Sequence, residues 1–168
     1  MIIEGYFFPK KLYYWILDPN GGIWARSDNN EQFTIGITSI IAKKVKKIIN
    51  FRILNENTDN VIKKNTPFIR INGVDTELIL FSPFEAKIVK KNVNIQNLKL
   101  NQKNVYTDLW LIKIEISNFK FETAKHWFQI PHPEMNKFVK SIVRAEKLLE
   151  ETCCPDFKKS NIVYRKKR

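Results

Sequence analysis

Apolar and polar residues alternate in short runs along most of the chain, and in two places the pattern switches to helical spacing. Lys11-Leu-Tyr-Tyr-Trp-Ile-Leu17 is β-branched and aromatic and reads as a strand. Asp18-Pro-Asn-Gly-Gly22 is a turn in which Pro presets φ and Gly permits φ > 0. Ile23–Arg26 and Gln32–Ile37 continue the sheet, with a second turn at Ser27–Asn30 between them. A helix over 39–49 follows, with Thr38 or Ser39 as its cap. Ile40, Ile41, Val45, Ile48 and Ile49 fall on one face of it, and Lys43, Lys44, Lys46 and Lys47 on the other.

Short strands return from residue 50 to residue 118. Asn50–Leu54 ends at the polar break 55–60. Thr66–Ile71 leads into Asn72-Gly73, a favoured hairpin turn, and on to Glu77–Phe81. Ala86–Val89, a polar loop over 92–104 and Leu109–Ile116 complete the set. Many short strands with regular turns predict a small sandwich or barrel, so the fold class is mainly β. After Asn118 an aromatic stretch (Phe119, Phe121, Trp127, Phe128) precedes Pro131-His-Pro133. A helix is then expected over 134–151, with Met135, Phe138, Val139, Ile142, Val143, Leu148 and Leu149 as its apolar stripe. The expected organisation is a β domain over 1–118, a helical extension over 119–155 and a basic tail over 156–168.

Composition narrows the function classes. The chain has 168 residues, 43% hydrophobic and 27% charged, a globular balance that excludes wholesale disorder. No apolar run approaches the ~18 residues of a membrane span, and residues 1–5 lack the basic start of a signal peptide. With two adjacent cysteines, Cys153 and Cys154, no disulfide framework is expected, and a reducing, cytoplasmic compartment fits.

The net charge of +12 invites a nucleic-acid reading. However, 23 of the 29 basic residues are Lys, accompanied by 23 Ile and 17 Asn, the bias that an AT-rich coding sequence produces. Residues 119–168 carry 12 basic and 6 acidic residues, and the chain closes on Tyr164-Arg165-Lys166-Lys167-Arg168.

Catalytic patterns are sparse. With five Gly the chain has no phosphate-cradling loop, and His126 and His132 are its two histidines. Vicinal Cys153 and Cys154 do not reach a tetrahedral ion together, so no metal site is expected. Asp75 and Glu77 fall on the same side of an extended segment, with no partner in view.

Four runs in order carry a resemblance: Phe33-Thr-Ile-Gly-Ile-Thr38 before the helix, Val61-Ile-Lys-Lys64, Leu80-Phe-Ser-Pro83 and Trp110-Leu-Ile-Lys-Ile114. From about Phe8 to Asn118 the chain resembles the H protein of the glycine cleavage system, a lipoyl-carrying shuttle. The resemblance implies a barrel-sandwich hybrid fold with one inserted helix and a C-terminal helical extension. It also implies that the lipoyl lysine of a Glu-Ser-Val-Lys-Ala hairpin lies eight residues before a proline. Counting back from Pro83 gives Asp75, and no lysine lies between Lys64 and Lys87.

An aspartate cannot form the lipoyl amide, so no lipoate is expected as a cofactor. The expected function is a non-catalytic, non-lipoylated interaction or scaffold module whose partner is another protein, with no membrane. One alternative is a working lipoyl carrier of aminomethyl groups. The other is a nucleic-acid or ribosome-associated binder. The candidate interaction surface comprises Asp75, Thr76 and Glu77, with Lys43, Lys44, Lys47, Arg165, Lys166, Lys167 and Arg168 for a weak nucleic-acid contact.

Overall fold

A computed structural model describes residues 1–16, 21–54, 60–116 and 127–152. The strands are β1 (Ile2–Ile3), β2 (Tyr6–Phe7), β3 (Tyr13–Trp15), β4 (Ile23–Ser27), β5 (Gln32–Ile37), β6 (Lys47–Ile53), β7 (Val61–Ile62), β8 (Pro67–Gly73), β9 (Glu77–Phe81), β10 (Ala86–Lys91), β11 (Leu98–Lys99), β12 (Trp110–Glu115) and β13 (Trp127–Gln129). The helices are α1 (Ser39–Val45) and α2 (Pro133–Thr152). The strands form a seven-stranded sheet, β13-β3-β4-β5-β12-β10-β7, a four-stranded sheet, β11-β6-β8-β9, and the N-terminal hairpin β1-β2. Their pairings are antiparallel. Both large sheets turn Ile, Leu and Phe side chains into one shared core. The mainly β fold read from the turn spacing is the observed one. The turn residues 17–20, the break 55–59, the segment 117–126 and residues 153–168 lie outside the described residues.

An aromatic cluster fixes the first half of the large sheet. Trp24 on β4 is fully buried and lies directly opposite Gly36 on β5. A Cβ at Gly36 would overlap the Trp24 indole, so the glycine is what makes room for the ring. The indole Nε1 donates to the Val105 carbonyl at 2.8 Å, which satisfies its polar edge inside the core.

Tyr106 packs 6.2 Å from Trp24 and Tyr14 5.5 Å from Phe8, ring centre to ring centre. Burial pushes both phenols well above the ordinary tyrosine value, so they stay protonated. Tyr14 Oη donates to the Pro9 carbonyl at 2.7 Å. Tyr106 Oη donates to Ser39 Oγ at 3.2 Å and accepts from the Ser39 amide at 2.9 Å. Beside this cluster, Asp28 ties three strands together: it accepts from Thr34 at 2.6 Å and from Lys113 at 2.8 Å, with Arg26 at 3.5 Å.

The first helix is shorter than its apolar spacing predicts. It stops at Val45, and Lys46 turns the chain at φ 61°. Ile48 and Ile49 instead begin strand β6, where they alternate: Ile48 is buried and Ile49 exposed. Two β-branched residues in a row suit the pleat, and β8 and β11 pair with this strand on either side. Capping also differs from expectation. Thr38 occupies the N-cap position without a side-chain cap bond, and Ser39 Oγ donates to the Phe7 carbonyl at 2.9 Å.

The C-terminal extension adds a strand as well as a helix. β13 pairs with β3, Trp127 opposite Trp15. α2 buries Met135, Val139 and Ile142 in the core. Glu146 on the same helix accepts a 3.1 Å hydrogen bond from Tyr6 and lies 3.7 Å from Lys43, which joins α2 to β2 and α1.

Candidate functional site

The hairpin β8–β9 stands at one end of the four-stranded sheet, and the register places its tip. Asn72 pairs with Glu77, and the Gly73 amide donates to the Thr76 carbonyl at 2.7 Å, so Val74 and Asp75 form the turn. Both are exposed, Val74 at 57%, while Thr76 and Glu77 are half-buried at its base. Glu77 lies 3.7 Å from Arg70 on the outer face, and Asn72 donates to Asn50 across β6 at 2.5 Å.

This corrects the reading of Asn72-Gly73 as the turn itself, since both residues are in strand. Gly73 serves a different need. An added Cβ would stand 3.0 Å from the Val45 carbonyl oxygen and 3.3 Å from that of Lys47, so the glycine lets β8 press against the α1–β6 turn.

That close approach brings two lysines to the tip end. Ile48 pairs with Gly73, and the chain before it, Lys46 and Lys47, runs alongside the base of the hairpin. Lys46 is exposed and Lys47 half-buried. Lys63 and Lys64 sit at the opposite end of β8, in a turn closed by a 2.7 Å bond from Thr66 Oγ1 to the Lys63 carbonyl. Local sequence carries no signal for the Lys46–hairpin proximity, because it arises from pairing between distant segments.

The remaining candidates scatter. Lys43, Lys44 and Lys47 do not form one helical face, since the helix ends before Lys47. Lys43 Nζ is held 3.2 Å from Tyr6 Oη and 5.0 Å above the Tyr6 ring. The hydrogen bond with Tyr6, reinforced by Glu146, raises the Lys43 pKa against the opposing effect of burial, while burial raises that of Tyr6. Lys44 is half-buried, and Lys47 opposes Lys99 across β6 and β11. Arg165, Lys166, Lys167 and Arg168, together with His126, Cys153 and Cys154, lie outside the described residues. His132 rests 4.5 Å from the Phe128 ring, and its Nδ1 accepts from the Glu134 amide at 3.2 Å. Among the described residues no three His, Cys, Asp or Glu side chains gather as metal ligands.

The order of strands, the inserted helix and the projecting hairpin coincide with one known family. The family model described as Glycine cleavage H-protein matches residues 12–141. The chain belongs to this family. The glycine cleavage system H protein of Staphylococcus epidermidis is 31% identical over 96 residues, covering 56% of this chain and 74% of that protein. Its counterpart from Coxiella burnetii is 25% identical over 114 residues, covering 67% and 83%. A crystal structure of a glycine cleavage system H protein from Mycobacterium marinum has the same fold, with a TM-score of 0.58 at 11% identity. It covers 80% of this chain and 98% of that one. The barrel-sandwich fold implied by the four sequence runs is therefore the observed one, and the family consists of carriers rather than catalysts.

Membership overturns the expectation that the chain has no lipoate. H proteins of this family carry lipoate on a lysine, so lipoate is the family's cofactor. At the tip itself the residues do not fit the group, because amide attachment needs an amine and Asp75 supplies a carboxylate. The backbone that approaches Gly73 is that of Val45 to Ile48, so Lys46 and Lys47 are lysines of the neighbouring segment. None of the described helices is long and apolar enough to cross a membrane.

Proposed function

We propose that this chain is a non-catalytic interaction module of the H-protein type, which binds a protein partner through the tip of the β8–β9 hairpin. The observation that carries this reading is the retained and exposed tip. Val74 and Asp75 project from a sheet that is otherwise built to hold them, and a large exposed apolar residue on a rigid turn is a natural anchor for a partner. The partner class is an enzyme of a glycine cleavage system, the kind of protein the family's carriers visit. The full chain should bind such an enzyme in a surface-binding assay. The double variant Val74→Asp, Thr76→Lys should weaken that binding at least tenfold while leaving the circular dichroism spectrum unchanged. Equal binding by both forms, or none by either, sinks the reading.

Family membership supports a second reading, carriage of aminomethyl groups on a lipoyl arm. The lysines that run beside the hairpin base, Lys46 and Lys47, are the acceptors this structure favours for it. Treatment of the full chain with a lipoate ligase, free lipoate and ATP, which activates the carboxylate for amide formation, followed by intact mass and peptide mapping, decides the matter. A lipoyl group on Lys46 or Lys47 supports carriage, and an unchanged mass rejects those acceptors.

A further inference from the structure

Helix α2 carries a stripe of exposed positive charge. Successive residues of an α-helix are rotated by ~100°, so Lys137, Lys140, Arg144 and Lys147 fall within an arc of roughly 80°. Met135, Val139 and Ile142, which are buried, occupy the opposite side. All four cations are exposed. Lys137 is paired with Glu134 at 2.7 Å, at the helix start. No ion pair joins Lys140 or Arg144 to a carboxylate among the residues whose side chains are described, and Glu146 of the same helix is turned inward to Tyr6 and Lys43, while Glu150 and Glu151 follow Lys147 in the sequence. An open recess lined by Lys137, Lys140, Ser141 and Arg144 runs along the stripe.

We propose that this stripe binds the phosphate backbone of a nucleic acid, without reading its sequence. Three features favour a phosphate polymer over an acidic protein. The cations follow one another at three- and four-residue intervals, about 4.5–6 Å along the axis, with no carboxylate between them on that face. The cations are exposed and the recess beside them is open, which suits contact with a solvated phosphate backbone. After Glu150, Glu151 and Asp156 the sequence turns basic, with Lys158, Lys159, Arg165, Lys166, Lys167 and Arg168 and no further acidic residue. The stripe also stands in place of the basic face expected on α1, which the structure divides between an exposed ion-paired lysine, a turn and a strand.

The test is fluorescence anisotropy of a labelled DNA duplex of arbitrary sequence titrated with the full chain across a salt series. Neutralising three or four phosphates gives a slope of log K against log salt near −3. The Lys140→Gln, Arg144→Gln variant should flatten that slope by about 2, with unchanged circular dichroism and no dependence on duplex sequence. The same flattening should occur in a background where Arg165, Lys166, Lys167 and Arg168 are all changed to Gln. A slope that the helix variant leaves intact overturns the proposal, as does loss of all binding with the tail changes alone. Tighter binding of polyglutamate than of DNA assigns the stripe to an acidic protein and overturns it as well. None of these outcomes bears on the hairpin assay, so the two proposals fail separately.

Discussion

The two ends of this molecule are built under opposite constraints. Around Trp24 every position is dictated by its neighbours: the indole needs Gly36 beneath it, the Val105 carbonyl to accept its hydrogen bond, and Tyr106 at its side. At the tip of β8–β9, Val74 and Asp75 touch little and are dictated by nothing in the fold. The first region can change only at a cost in stability, and the second can change freely. Such a division lets one architecture tolerate a change of residues at the hairpin tip. The difference also shows why fold and site have to be argued separately here.

The sharpest way to break the contrast is at Gly36. Gly36→Ala inserts a methyl group into the space of the Trp24 ring and should cost about 2–3 kcal/mol, as overpacking of a tight core does. Urea unfolding monitored by tryptophan fluorescence measures it, and a midpoint within error of the parent removes the claim that the ring dictates the glycine.

Asp28 should give an intermediate effect. Burial alone would raise its pKa, but hydrogen bonds from Lys113 and Thr34, with the charges of Lys113 and Arg26, hold it below the usual carboxylate range. Its folded value therefore lies under its unfolded value. The contribution is fully present above the ordinary carboxylate range and is lost as pH falls through the folded value. Asp28→Asn should cost about 1 kcal/mol at neutral pH, since the site is partly solvated. The gap from the parent should close in strong acid. A gap that persists there, measured by denaturation across pH, assigns the loss to something other than charge.

The smallest effect belongs to the tip. Asp75→Lys should change stability by less than about 0.5 kcal/mol, because the side chain is exposed on a turn closed by backbone bonds alone. The same variant should also become a substrate for lipoate ligase, with the added group mapped to the new lysine. A large loss of stability would show that the tip is as constrained as the core.

Much of this was legible from local pattern. The alternation in Gln32–Ile37 and Trp110–Glu115, the apolar stripe of α2 and the exposed position of Asp75 follow from short-range periodicity and turn chemistry. What local pattern missed depends on distant partners. Ile40, Ile41, Val45, Ile48 and Ile49 satisfy helical spacing, yet the strands flanking β6 claim the last two. Asn72-Gly73 carries the signature of a turn, but the glycine is used for the backbone of Val45 and Lys47, so the chain turns two residues later. The basic face expected on α1 dissolves for the same reason, and the stripe on α2 was present in the sequence as three- and four-residue spacing of Lys and Arg. At the hairpin the sequence shows a carboxylate, Asp75, and the approach of the Lys46–Lys47 backbone to Gly73 was not readable because it comes from a distant segment.

The pairing of β13 with β3 sets the order in which this fold can be completed. Tyr13, Tyr14 and Trp15 receive their outer partner only when Trp127, Phe128 and Gln129 arrive. Throughout most of its synthesis the chain therefore presents an aromatic sheet edge with unsatisfied backbone donors and acceptors, a template for joining other strands. Contacts this far apart in sequence form slowly. A chain that lacked Trp127–Gln129 would leave that edge open.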